Sequence, residues 1–166
     1  MDPVPNPQYA FLNRTSNLWC PVKGAPAPYI VWRKDGDVVQ NSTSITFELN
    51  ITSKNNVNYS CEVRRDGEVL KRNISLRIEE CPDPCKCDVS HQTSISVNCS
   101  GKELNSIPWK FPLAMSKLEM NNNLLKELPS GMFSNNTNLS ILFLRRNKLE
   151  KLSPGIFENN IKLTYL

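Results

Sequence analysis

Residues 115–138 read MSKLEMNNNLLKELPSGMFSNNTN, and residues 139–162 read LSILFLRRNKLEKLSPGIFENNIK. The two segments have equal length, and the second repeats the apolar pattern of the first. A third copy opens with LTYL at residues 163–166. The recurring positions are Met115, Leu118, Met120, Asn123, Leu125, Leu128 and Phe133 in the first copy, and Leu139, Leu142, Leu144, Asn147, Leu149, Leu152 and Phe157 in the second. Such a period predicts stacked structural units, because one short unit cannot bury its apolar side alone.

The spacing within each copy resembles L-x-x-L-x-L-x-x-N-x-L, the template of leucine-rich repeats. This resemblance implies a short strand, a turn and a return segment in every copy. We expect Asn123 and Asn147 to point inward at the turn, where their amides can bond to backbone groups of neighbouring turns. Phe133 and Phe157 are expected to form an aromatic spine on the convex side.

Residues that flank the inward leucines of each strand should face the opposite, concave surface, because side chains alternate along a strand. Aromatic residues together with Arg are typical of interface anchors. We therefore predict that this surface binds a protein partner. The predicted contact residues are Lys117, Glu119, Asn121, Ile141, Phe143, Arg145 and Tyr165.

Four cysteines precede the repeats, at Cys81, Cys85, Cys87 and Cys99. A zinc site usually needs paired cysteine knuckles, and here Cys99 stands apart from the single close group. In an oxidising compartment, disulfides are therefore the better interpretation. The residues alone allow three pairings. The cluster resembles the amino-terminal cap of extracellular leucine-rich repeats, and that resemblance implies Cys81–Cys87 and Cys85–Cys99.

The first half of the chain reads as an all-β sandwich, with short apolar runs separated by turn signals. The sequences Asp35-Gly36 and Asp66-Gly67 are hairpin signals, since glycine adopts a positive φ at little cost. A further turn signal stands at Gly24-Ala25-Pro26. The predicted strands span residues 8–12, 17–22, 29–34, 45–51, 57–65 and 69–78.

Cys20 and Cys61 bracket Trp32, and Tyr59 precedes the second cysteine by two residues. This arrangement resembles the immunoglobulin superfamily over residues 8–80. The resemblance implies a Cys20–Cys61 disulfide against a buried indole, and a tyrosine corner in which the Tyr59 hydroxyl bonds to upstream backbone. Asn55 departs from the pattern, since the family often has Asp at that position.

Six cysteines and eight N-x-S/T sequons predict an oxidising, extracellular location. No apolar run is long enough for a membrane helix, and the first residues lack a signal peptide. Membrane attachment would therefore need a segment outside this sequence, and we expect the natural protein to continue beyond Leu166. The predicted glycosylation sites are Asn13, Asn41, Asn50, Asn58, Asn73, Asn98, Asn135 and Asn138.

The chain of 166 residues is thus predicted to be multi-domain. An immunoglobulin-like sandwich spans residues 1–80, a cysteine-rich cap spans residues 81–112, and a leucine-rich repeat solenoid spans residues 113–166. The formal net charge of +4 is too mild to indicate nucleic acid as a partner.

Two classes of function fit these parts. The first is a protein-recognition or adhesion module in the ectodomain of a cell-surface receptor, single-pass or seven-helix. This resembles the Trk neurotrophin receptors and other families that join the two domain types, although their repeats usually come first. The alternative is a secreted matrix protein. A resemblance to peroxidasin-like proteins would imply a catalytic domain elsewhere in the full protein. Its basic residues around the Asp66-Gly67 turn, Arg64-Arg65 and Lys71-Arg72, would contact heparan sulfate.

Catalysis within the chain is not expected. His91 is the single histidine, and no Ser/His/Asp set, metal-ligand cluster or phosphate-binding loop accompanies it. No cofactor and no metal ion are predicted.

Overall fold

The computed structural model describes residues 7–22, 26–54, 57–90 and 94–166. The chain divides into two compact units, Met1–Glu79 and Glu80–Leu166, and each is described by itself. The predicted turn at Gly24-Ala25, the Asn55 departure and His91 lie outside the described residues. The division into residues 1–80, 81–112 and 113–166 stays a prediction.

The first unit is an all-β sandwich, as the sequence predicted. One sheet has the order β4-β3-β6-β7, and the facing layer consists of the antiparallel pair β2-β5 and the parallel pair β1-β8. The strands are β1 (Gln8–Phe11), β2 (Thr15–Trp19), β3 (Tyr29–Lys34), β4 (Asp37–Ser42), β5 (Thr46–Asn50), β6 (Tyr59–Arg65), β7 (Glu68–Ile74) and β8 (Leu76–Glu79).

The core of the sandwich is built around the Cys20–Cys61 disulfide, in which both cysteines are fully buried. Trp32 on β3 is the cross-strand neighbour of Cys61 on β6, and its indole has no exposed surface. Phe47 stacks on the Trp32 ring at a centroid distance of 5.7 Å. The apolar residues that alternate along each strand therefore meet between the two layers.

Both predicted hairpin turns are present. Asp35 and Gly36 have positive φ angles of 49° and 96°, and Asp66 and Gly67 have 50° and 83°. Two consecutive positive φ angles are the geometry of a type I′ turn, which matches the twist of the flanking strands. These turns connect β3 to β4 and β6 to β7.

Three features of the sandwich differ from the sequence prediction. The first is β2, which spans Thr15–Trp19 where a strand over residues 17–22 was predicted. β4 was not predicted, and the predicted strand at residues 69–78 is divided into β7 and β8, which belong to different layers.

Tyr59 is buried, with 5% of its surface exposed. However, its hydroxyl makes no hydrogen bond to any described residue, so the expected tyrosine-corner bond is not part of the described structure.

The second unit contains one four-stranded sheet with the order β12-β11-β10-β9. β9 and β10 form an antiparallel hairpin, whereas β10, β11 and β12 run parallel to each other. The strands are β9 (Lys86–Ser90), β10 (Ser94–Asn98), β11 (Met115–Glu119) and β12 (Ile141–Phe143). Leu118 lies beside Leu142 in the sheet, so the strands pair in the register of the sequence repeat.

Two disulfides close the start of this unit, Cys81–Cys87 and Cys85–Cys99. Cys87 lies on β9 opposite Val97 on β10, and Cys99 directly follows β10. The cysteine cluster is thus covalently attached to the first strand pair of the sheet, where it covers one end of the apolar interior.

Asparagine side chains connect successive turns of the second unit. Asn123 donates from Nδ2 to the carbonyls of Cys99 and Met120, at 2.9 and 3.0 Å. Its Oδ1 accepts from the backbone N–H groups of Lys102 and Leu104. Asn147 makes the equivalent bonds one turn later, to the carbonyls of Met120 and Leu144. The predicted ladder is confirmed.

The two copies of the repeat differ in burial. Leu128 has 2% of its surface exposed, whereas the equivalent Leu152 has 45%. Phe133 is fully buried and stacks on Phe157 at 5.8 Å, as the predicted spine requires. The described residues contain strands and turns and no helix, and the solenoid stays a prediction.

Candidate functional site

The outward side of the second unit's sheet carries two rows of side chains. Val97, Leu118 and Leu142 are in register and completely buried, so they define the inward side. Residues directly before and after them point outward. The first outward row contains Asp88, Ser96, Lys117, Ile141 and Tyr165, and the second contains Lys86, Asn98, Glu119 and Phe143. We call these two rows the strand face.

Three of the predicted contact residues form one local cluster on the strand face. The Lys117 ammonium group is paired with the Glu119 carboxylate on the same strand. It also lies 5.7 Å from the centre of the Phe143 ring on the next strand. An ammonium group at this distance is attracted to the face of an aromatic ring. The cluster thus places an aromatic ring, a cation and an anion side by side.

Phe143 faces outward in the second row, but its ring is only partly exposed. The ring is half-buried, because Lys117 lies over it and Ile141 and Glu119 flank it in the two rows. Apolar surface covered only by a flexible lysine can be uncovered without disturbing the core, since lysine readily changes its rotamer.

The remaining predicted contact residues extend the surface beyond the cluster. Arg145 follows β12, is exposed, and makes no ion pair with any described residue. Its backbone N–H donates to Asn121 Oδ1 at 2.8 Å, which joins the ends of two successive strands. Tyr165 forms an isolated parallel β-bridge with Ile141, and 64% of the surface of Tyr165 is exposed. The seven predicted residues therefore lie on or next to one face.

All eight asparagines of the sequons are exposed, which the attachment of a glycan requires. Asn135 and Asn138 lie in the segment between β11 and β12, away from the sheet rows. Asn98, in contrast, lies on the strand face beside Glu119. The buried Ile95 and Val97 on the same strand also indicate that Asn98 points outward.

The basic residues near the Asp66-Gly67 turn do not form one patch. Arg64 and Lys71 share the outer face of the four-stranded sheet. Arg65 and Arg72 lie at the alternate strand positions and therefore belong to the other face. The guanidinium of Arg65 also pairs with Asp66 at 3.4 Å. The four cations are thus divided between two sides of the hairpin.

A second pair of buried asparagines was missed by sequence reasoning. Asn136 donates to the carbonyl of Pro112 at 2.9 Å. Asn160 donates to the carbonyls of Phe133 and Asn136, at 3.0 and 2.8 Å. The recurrence of Asn-Asn at residues 135–136 and 159–160 is a signal that could have identified this second ladder.

Within residues 7–22, 26–54, 57–90 and 94–166, no group of three or more His, Cys, Asp or Glu side chains could hold a metal ion. No helix in that part of the chain is long and apolar enough to cross a membrane. A cavity of about 590 Å³ in the first unit is lined partly by Lys34, Asn50, Lys54 and Tyr59. Burial raises the pKa of the Tyr59 phenol, and the Asp35 carboxylate raises it further.

Comparison with known families agrees with both resemblances. Residues 3–79 match the family model described as immunoglobulin domain, and residues 113–166 match the one described as leucine rich repeat. The two regions follow each other in the order that the sequence predicted.

Three curated proteins illustrate the similarity. The chain is 27% identical over 123 residues to Fasciclin-2 of Schistocerca americana, which covers 65% of this chain and 14% of that protein. It is 32% identical over 66 residues to the bovine immunoglobulin superfamily containing leucine-rich repeat protein, covering 40% of this chain and 15% of that protein. It is 38% identical over 64 residues to a peroxidasin homolog of Caenorhabditis elegans, covering 39% of this chain and 4% of that protein.

The chain therefore spans a small part of each of these relatives. Immunoglobulin and leucine-rich repeat domains are generally recognition modules without catalytic activity, and disulfide-rich examples are typical of extracellular or cell-surface proteins.

Proposed function

Because this chain carries an immunoglobulin domain followed by leucine-rich repeats, we propose that it is an extracellular module that binds a protein partner through the strand face. The repeats form the start of a solenoid whose concave side is this face. The partner is a secreted or cell-surface protein, and the module belongs to the ectodomain of a cell-surface receptor or adhesion protein.

The observation that carries the proposal is the cluster of Lys117, Glu119 and Phe143. None of these side chains is required for the apolar interior, which Leu118 and Leu142 fill from the opposite side of the same strands. A half-buried aromatic ring beside the exposed Arg145 is the combination found at energetically dominant positions of protein interfaces.

The eight exposed sequon asparagines support the extracellular location, and we propose that the protein is a glycoprotein. The alternative function, a matrix protein that binds heparan sulfate, stays a prediction. It has less support, because the cations around the Asp66-Gly67 turn lie on opposite sides of the hairpin and do not present one anion-binding surface.

The proposal is tested by capture of partners. An oligomerised form of the chain is applied to an array of purified extracellular domains, and every hit is measured again with Phe143→Asp. The aspartate replaces an apolar contact by a charge, so we expect binding to fall at least tenfold. Lys151→Asp is the matched control, since Lys151 is exposed and lies outside the strand face. A hit that loses affinity with the control and not with Phe143→Asp would contradict the proposal.

A further inference from the structure

Asn98 occupies an unusual place among the sequon asparagines of the second unit. It is the last residue of β10, and its register partner on β11 is Glu119. Glu119 in turn is the register partner of Phe143 on β12. The preceding residue, Val97, is completely buried, so Asn98 points outward. Asn98 is therefore in the same row of the strand face as Glu119 and Phe143, two of the proposed contact residues.

The local geometry leaves the amide of Asn98 free to carry a sugar. Asn98 is exposed, and its Oδ1 accepts a hydrogen bond from the backbone N–H of Ser100 at 2.9 Å. Its Nδ2, the atom to which a glycan attaches, makes no hydrogen bond to any described residue. Attachment would thus break no contact of the described structure.

The distances in the sheet place such a glycan next to the cluster. Neighbouring strands lie about 4.8 Å apart, so Asn98 is one strand from Glu119 and about 10 Å from Phe143. Lys86 lies on the other side of Asn98, on β9. A branched oligosaccharide is bulky compared with these separations. It would extend over the row at the β9–β10 end of the sheet.

We propose that an N-linked glycan on Asn98 covers this end of the strand face. Partners can then bind only at the other end, which β11 and β12 form. The inference rests on the proposed function of the face. In the modification, a bond forms between Asn98 Nδ2 and the anomeric carbon of a pyrophosphate-linked donor oligosaccharide. The anomeric carbon–oxygen bond of the donor breaks, the lipid pyrophosphate leaves with the electron pair, and Nδ2 loses one proton.

Ser100 offers a precise way to remove the glycan. Its hydroxyl is buried and has no hydrogen-bond partner among the described residues, so Ser100→Ala destroys the sequon without removing a described contact. The backbone N–H that donates to Asn98 Oδ1 remains, because alanine keeps it. Thr52→Ala is the matched control, since it removes the sequon of Asn50 in the first unit.

The test measures how accessible two lysines are, with no partner present. The full chain is secreted from animal cells, and glycopeptide mass spectrometry determines the occupancy of Asn98. Two amine-reactive esters are then applied, one that transfers an acetyl group and one that carries a long polyethylene glycol chain. Labelling of Lys86 and Lys117 is normalised to that of exposed Lys151.

We expect the bulky ester to label Lys86, on β9, several-fold faster in Ser100→Ala than in the wild type, and Lys117, on β11, to change by a smaller factor. The small ester should react equally in both, and Thr52→Ala should behave as the wild type does. Any partner captured on the array should bind Ser100→Ala more tightly. An unmodified Asn98, or equal labelling by the bulky ester, would overturn the inference and leave the proposed function intact. If the glycan shields the face but no captured partner loses affinity for Phe143→Asp, the proposed function is refuted instead.

Discussion

The ammonium group of Lys117 lies 5.7 Å from the centre of the Phe143 ring, although the two residues are separated by one full turn of the repeat. The same ammonium group pairs with Glu119. A single side chain therefore neutralises a carboxylate and covers an aromatic ring on the neighbouring strand. This relationship explains why the ring is half-buried on an otherwise solvent-facing side of the sheet.

A double-mutant cycle should detect the coupling between these two residues. We expect Lys117→Met and Phe143→Leu together to cost less than the sum of the single changes, by about 0.5–1 kcal/mol, because each single change already removes the cation–π contact. Equilibrium denaturation of the four proteins measures this. The pair Lys151 and Phe143 serves as a control cycle, and an equal coupling energy there would exclude the contact as the cause.

Replacing Asn123 by alanine should destabilise the second unit by about 3 kcal/mol. The change leaves two carbonyls and two backbone N–H groups near the interior without the partner that Asn123 provides. Buried polar groups without a partner cost about 1–3 kcal/mol each, part of which water recovers. Thermal unfolding followed by circular dichroism measures the loss. Asn159→Ala changes an exposed asparagine and should leave the melting temperature nearly unchanged.

Gly131→Ala should cost about 1 kcal/mol although nothing obstructs the added methyl group. Gly131 has a φ of 68°, and apart from the glycine and its two chain neighbours no heavy atom of a described residue lies within 4 Å of the position of a Cβ. The loss would therefore come from backbone conformation alone, since the left-handed region disfavours residues with a Cβ. Arg146 has a φ of 55°, so Arg146→Gly should raise the free energy of unfolding, whereas Gly131→Ala should lower it. Urea titrations of both variants decide this, and equal signs would refute the explanation.

Tyr59 should make the first unit sensitive to alkaline pH. Its pKa in the folded state is raised above the ordinary value of 10.0 by burial and by Asp35. The unfolded chain therefore loses its proton first. The contribution to stability is fully present below about pH 10 and is lost as the pH rises through the raised pKa of the folded state. Denaturation curves at increasing pH should show a shallower decline in Tyr59→Phe. Tyr165→Phe, at an exposed position, should follow the wild type.

Much of the sandwich could be predicted because its determinants are local. Trp32 and Cys61 belong to alternating apolar segments, and the Asp35-Gly36 turn has the residues that a type I′ hairpin needs. β4 was missed although this turn leads into it. The reason is its exposure: Val38 and Val39 are both exposed at the edge of the sheet, so no inward alternation marks the strand.

The division of residues 69–78 into two strands depends on contacts that are distant in sequence. The run is continuously strand-like, and β7 pairs with β6 up to Ile74. After Ser75 the chain joins β1 instead, because the backbone N–H of Gln8 donates to the Ser75 carbonyl and Leu76 pairs with Gln8. No local pattern within residues 69–78 contains that information.

The candidate site was predictable to the extent that the repeat fixes its register. A constant spacing of leucines places Lys117 beside Ile141, and Glu119 beside Phe143. The spacing does not specify how the side chains settle on that face. The Lys117 rotamer that covers Phe143 also pairs with Glu119, and it became visible only in the structure.

If Asn98 is glycosylated as we propose, the disulfide between Cys85 and Cys99 also constrains the order in which the two modifications form. Cys99 is the middle residue of the sequon Asn98-Cys99-Ser100. The oligosaccharide-transferring enzyme needs this tripeptide in a flexible chain, whereas the disulfide fixes it at the end of β10. Sugar addition at Asn98 would therefore have to precede oxidation of the adjacent thiol. The fraction of molecules modified at this position would then be a record of how fast each one oxidised, and cells could produce two forms of the face from a single transcript.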